Sequence, residues 1–163
     1  MPRWLILACT HFVVGITGFA AGIYTLPILT APASPTEAAL RSSTPEALYS
    51  GKLSRDLAGS DLLHWGEGEV QILPHRIAHI GRLSPGPDYK LYLAPHFVET
   101  EEAFLAIKDA SARVGDVRTF NGFIMEVPAD IDVRDYSAVV IWCEAFDQFI
   151  SSAAYQPPRQ ARK

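Results

Sequence analysis

Apolar and polar positions divide the chain into a long uncharged N-terminal run, a polar stretch without sustained period, and a region of short alternating runs. From Trp4 to Ala31 there is no acidic or basic residue apart from the neutral-range His11. At ~1.5 Å per residue, a helix from Trp4 to Leu26 covers about 35 Å, slightly more than a hydrocarbon core, so the pattern predicts one transmembrane helix. Trp4 and Tyr24 fall near its ends, where amphipathic rings favour the headgroup boundary, and Pro27 predicts its termination. Ala, Pro, Ser and Thr then dominate from Thr30 to Ser60, the composition of a tether, with a short helix expected from Thr44 through Ser50. The resulting division is an anchor over 1–29, a flexible linker over 30–50, a β domain over 51–156 and a disordered basic tail over 157–163.

Within the domain, β-prone runs are expected at Gly68 to Leu73, Arg76 to Leu83, Tyr89 to Ala94, Phe123 to Val127, Ser137 to Cys143 and Phe149 to Ala154. Asn121-Gly122 predicts a hairpin between Thr119-Phe120 and Phe123-Ile124, and Pro85-Gly86-Pro87-Asp88 predicts a turn. Glu101 to Asp109 predicts two helical turns capped by Thr100, with Phe104, Leu105 and Ile107 on the apolar face. The fold class expected is all-β: an antiparallel β-sandwich or flattened barrel with one short helix, preceded by a single N-terminal transmembrane helix.

Charge settles two further points. Arg3 and the α-amino group lie before the apolar run and the next positive charge is Arg41, which predicts a cytoplasmic N-terminus and a periplasmic or extracellular domain. A cleaved signal peptide competes, since Ala31-Pro32-Ala33 offers small residues, but the run exceeds the usual apolar core of about 7–15 residues and favours an uncleaved anchor. Between Lys52 and Tyr155 there are 9 Lys and Arg against 16 Asp and Glu, a net of −7, which argues against nucleic-acid binding. Gly18 and Gly22 form a GxxxG pattern, a weak signal for pairing of two anchors into a homodimer.

The chain holds two cysteines, Cys9 in the apolar run and Cys143, so the domain has no internal disulfide. Cys143 shares a strand face with Val139 and Ile141, while Val140 and Trp142 point the other way, and both faces are apolar. The residues alone leave two readings open. Cys143 is a small buried core residue with a raised pKa, or it is a working thiol or ligand. His64 and His96 are candidate second ligands; His75 and His79 would stand about 13 Å apart on one strand, too far to share a metal. Glu67 and Glu69 read as a solvated face, and Trp65, Tyr92, Phe120, Phe123, Trp142 and Phe146 as core aromatics. No nucleophile elbow, phosphate loop, zinc-protease or calcium motif is present.

The runs HWGEGEVQI (His64 to Ile72), GPDYKLYLAPHF (Gly86 to Phe97), TFNGFIMEVP (Thr119 to Pro128) and YSAVVIWCEAF (Tyr136 to Phe146) occur in that order. Together they resemble the DM-thirteen "electron transfer" domain, distantly DOMON-like, over Tyr49 to Tyr155. The resemblance implies a mostly β domain in which the signature cysteine acts as a bare thiol or as ligand to a prosthetic group such as haem. On that footing the expectation is a membrane-anchored redox module centred on Cys143, with a basic redox protein as partner; the alternative is a non-catalytic interaction or assembly module in which Cys143 is only core.

Overall fold

The computed structural model describes residues 2–42 and 47–157. Helix α1 (Arg3–Thr30) is followed by a short helix α2 (Glu37–Arg41), and eight strands then form two four-stranded antiparallel sheets. The first sheet has the order β1 (Tyr49–Leu53), β2 (Gly66–Ile72), β3 (Arg76–Leu83), β6 (Phe123–Glu126). The second runs β5 (Ala112–Val117), β4 (Tyr89–Ala94), β7 (Ala138–Cys143), β8 (Gln148–Ala154). The protein is a β-sandwich with one long apolar helix at its N-terminus.

Two apolar clusters hold the sandwich together, and β7 serves both. Val139, Ile141 and Cys143 point between the sheets among Leu53, Ile72, Ile77 and Leu91. Val140 and Trp142 point outward into a second cluster with Tyr92, Phe104 and Phe149. This is the period-two alternation of a strand covered on both faces. The cover on the outer side is α3 (Glu101–Leu105), whose N-cap Thr100 accepts a hydrogen bond from the Ala103 amide at 3.2 Å. Phe104 is fully buried, whereas Leu105 is 45 % exposed, so the expected apolar face narrows to Phe104 with Ile107 half-buried beside it.

Several expectations are corrected. Pro27 does not end α1, which runs on to Thr30; Pro27 removes a donor only one turn from the end, where few further intrahelical bonds depend on it. The Asn121-Gly122 turn exists, with Gly122 at φ 83°, but it joins no hairpin. Beyond it, β6 pairs with β3, while β5 before it pairs with β4 in the other sheet, so the turn is a crossover closed by the Thr119 hydroxyl donating to the Gly122 carbonyl at 2.7 Å. Tyr49 and Ser50, the end of the expected linker and of the expected short helix, open β1; residues 44–46 of that helix lie outside the described residues, as does the tail from 158. The linker also contains α2, whose Leu40 is buried and whose helix packs against β3.

Candidate functional site

One end of the sandwich gathers the chemistry. Cys143 closes β7 and stands opposite Tyr89, the first residue of β4. The chain reaches Tyr89 through the Pro85–Asp88 turn that changes sheets, and it leaves Cys143 through a turn at 144–147 in which Asp147 adopts φ 48°. Residues 61–65, before β2, arrive at the same end. There, Asp61 Oδ1 accepts the amides of Leu63 and His64 at 2.7 and 2.8 Å, fixing the loop.

These segments surround a cleft of about 450 Å3 lined by Cys143, His64, Tyr89, Leu63, Phe146 and Gln148, together with the proline turn and Ala20, Ile23 and Tyr24 of α1. Cys143 is only 2 % exposed and sits at its inner wall. Burial pushes the Cys143 thiol above its ordinary range, opposed by the amides of Phe146, Asp88 and Ala145, and the sulfur is therefore a protonated thiol at neutral pH. Tyr89 is likewise pushed up by burial, and its hydroxyl pairs with Ser84 at 3.2 Å.

His64 lies across the cleft with Nδ1 2.9 Å from Asp61 Oδ2. A carboxylate only accepts, so Nδ1 carries a proton, and in the neutral ring Nε2 is then the nitrogen with the lone pair, the orientation a carboxylate imposes on ligating histidines. Burial opposes ionisation of Asp61, but the bonds from His64 and from the Leu63 and His64 amides hold its carboxyl below the usual range.

The other candidate, His96, is not brought to Cys143. It follows Ala94, which pairs with Ala138, at the far end of the same two strands, about 17 Å of strand away at ~3.3 Å per residue, and it is exposed. His75 lies in the turn before β3 rather than on it. Among the described residues no cluster of three or more His, Cys, Asp or Glu side chains is arranged for a metal ion. Glu67 is engaged by Arg55 at 2.8 Å and Arg82 at 3.3 Å, as a solvated ion pair rather than one of two catalytic carboxylates. Of the six aromatics assigned to the core, Phe146 is instead 55 % exposed, and Trp65 is half-buried beneath the Arg55 guanidinium, 3.3 Å from its ring centre.

Sequence reasoning missed two polar groups that the fold assembles. Lys108 reaches Glu144 at 2.7 Å, Tyr92 donates to the same carboxylate, and the ammonium stands 5.2 Å from the Trp142 ring centre. Asp116 gathers Lys90, Arg113 and Arg118, which hold its carboxyl well below the usual range. The Lys108–Glu144 and Lys90–Asp116 pairs each unite residues distant in the chain, and no local motif announces them.

No curated protein and no solved structure matched the chain. The model of the family Electron transfer DM13 matches residues 59–155, more than half of the chain and the whole of the sandwich from β2 to β8. With Cys143 on a central strand of that region, the chain belongs to the Electron transfer DM13 family.

Proposed function

We propose that this chain is a single-pass, membrane-anchored electron-transfer domain on the extracytoplasmic side, with its redox centre in the cleft of Cys143 and His64. The observation that carries the reading is that these two donors, far apart in sequence, line one largely apolar cleft. Its volume lies within the range of cofactor sites, and a sulfur with an imidazole is a donor set that haem iron accepts. Bound there, haem would supply a one-electron couple. Cys143 would contribute its sulfur after losing its proton, Asp61 would keep the His64 Nε2 lone pair available, and Leu63, Phe146 and Pro85 would exclude water.

Helix α1 supports the membrane placement by length and composition, and Arg3 at its start supports a cytoplasmic N-terminus. The acidic domain suits a basic redox partner. A homodimer through Gly18 and Gly22 belongs to the same proposal, since a Cβ added at either glycine would meet nothing within 4 Å and that face is open to a second helix.

A second reading has one observation in its favour: Cys143 is buried and its pKa is raised, as befits an inert core thiol in an interaction module. The visible spectrum of the full-length protein, extracted from its own membrane in mild detergent and recorded before and after dithionite, separates the two. A Soret band that shifts on reduction, disappears in Cys143→Ser and weakens in His64→Ala is expected. A featureless spectrum would leave the interaction module as the account.

A further inference from the structure

We propose that the Cys143 end of the sandwich docks into the lipid bilayer beside its own anchor, through Leu62, Leu63 and Phe146. Leu62 is 93 % exposed, Leu63 56 % and Phe146 55 %, and each stands where the chain reverses. The Asp61 carboxylate closes the first turn through two amides and the His64 ring, and Asp147 turns the chain in the second. Such turn tips ordinarily carry Gly, Asn, Asp or Ser, whose backbone preferences suit them; large apolar residues held rigidly outward there call for an apolar surface to cover them.

The anchor identifies that surface as lipid. Leu63 and Phe146 line the same cleft as Ala20, Ile23 and Tyr24 of α1. Trp4 to Tyr24 spans about 30 Å at ~1.5 Å per residue, one hydrocarbon thickness, so Tyr24 belongs at the outer headgroup boundary and Ala20 one turn deeper. The two tips flank the helix at that depth. The ionised Asp61, whose side chain is 58 % exposed, and the exposed Asp147 beside Phe146 confine the entry to the interfacial layer, where both stay hydrated while the Leu62, Leu63 and Phe146 side chains reach the acyl boundary, so the docking is shallow, and apolar rather than electrostatic. The mouth of the cleft then faces the membrane boundary, so that whatever exchanges with it does so from the lipid side.

This inference rests on the anchor reading above, and the experiment keeps the two failures apart. In the full chain with Cys9→Ala, Leu62→Cys, Phe146→Cys and His96→Cys are made singly and labelled with a nitroxide. The labelled chains are reconstituted in phosphatidylcholine and phosphatidylglycerol bilayers, and collisions with oxygen and with a water-soluble nickel chelate are measured. The buried Cys143 stays unlabelled under native conditions, which an otherwise cysteine-matched control confirms. Labels at 62 and 146 are expected to collide with oxygen severalfold more than with nickel, and the label at 96, at the far end of the sandwich, the reverse. Labels at 62 and 146 that meet nickel as freely as 96 does, or that are shielded from both agents, would overturn the docking while leaving the anchor intact. A chain that washes off the bilayer in alkaline carbonate would overturn both.

Discussion

Cys143 and Tyr89 face each other across the β4–β7 ladder, the two central strands of one sheet, and both side chains line the cleft beside helix α1. A central-strand position gives the thiol rigid walls and little water. The result is a sulfur reachable from one side, protonated at rest, and faced by the Tyr89 hydroxyl, which burial also makes hard to ionise.

The Cys143 thiol should therefore alkylate slowly. In the native protein, iodoacetamide is expected to react at neutral pH at least tenfold more slowly than with a free cysteine, with a pH-rate midpoint above the ordinary thiol value. Denaturation should restore the ordinary rate. A fast native reaction with a midpoint below neutrality would show a thiolate instead. Cys143→Ala should cost about 1–2 kcal/mol in urea melts, the loss of a small buried side chain.

His79 predicts a pH dependence away from the cleft. It is fully buried on β3, with Nε2 donating to the Glu67 carbonyl at 3.0 Å, Nδ1 without a hydrogen-bond partner and the Phe123 ring alongside. Burial lowers its pKa from 6.5 to about 4, against the opposing bond to Glu67. A depressed folded-state pKa means that the unfolded chain binds the proton first. The stability is thus fully present above about 6.5 and is lost progressively as pH falls towards 4, by about 3 kcal/mol at most. Urea melts at pH 7 and pH 4.5 should differ by most of that amount, and the difference should largely vanish in His79→Gln.

What could be read from the chain and what could not follows the burial of each strand. The limits of β3 and β4 match the runs at Arg76 to Leu83 and Tyr89 to Ala94, because strands that line the core must carry apolar residues at the positions facing it. The two missed strands, Tyr49–Leu53 and Ala112–Val117, are both sheet edges, and Lys52, Gly115 and Asp116 interrupt their pattern as edges require. At the site, Cys143 was legible from its strand and His64 from its motif. That His64 and not His96 shares the cleft depends on which end of β4 each one follows, a fact of register that no local pattern carries. Phe146 reads as core because an aromatic next to a buried strand usually is; it lies instead three residues past Cys143, in the turn, 55 % exposed.

The outer cluster should depend on one side chain of α3. Phe104 is fully buried, with ring centres 5.2 Å from Tyr92 and 5.0 Å from Trp142, and the helix that presents it is only five residues long. Phe104→Ala is expected to cost about 3–4 kcal/mol through lost burial and the cavity left. Leu105→Ala, next to it but exposed, should stay within about 0.5 kcal/mol. Equal losses at the two positions, measured by urea melts, would mean that α3 does not pack as described.

A final prediction concerns Gly68, where β2 passes β3 with φ 120°, a region side chains rarely enter. A Cβ there would lie 2.2 Å from the Ile80 carbonyl and 2.6 Å from Gly81 Cα, backbone atoms of the neighbouring strand that cannot step aside without breaking the ladder. Gly115 offers the contrast, because an added Cβ meets the Met125 sulfur at 3.0 Å and a methionine can rotate away. Gly68→Ala should therefore cost about 3 kcal/mol or more and Gly115→Ala about 1 kcal/mol or less. The two effects should differ in kind as well. Gly68 adjoins Glu67, whose carbonyl receives the His79 bond, so displacing this segment weakens the one interaction that raises the imidazole's pKa and should steepen the stability loss as pH falls from 6.5 towards 4. Gly115→Ala should leave that pH dependence unchanged, and a Gly68→Ala protein with wild-type stability and an unaltered acid limb would refute the close approach of β2 and β3.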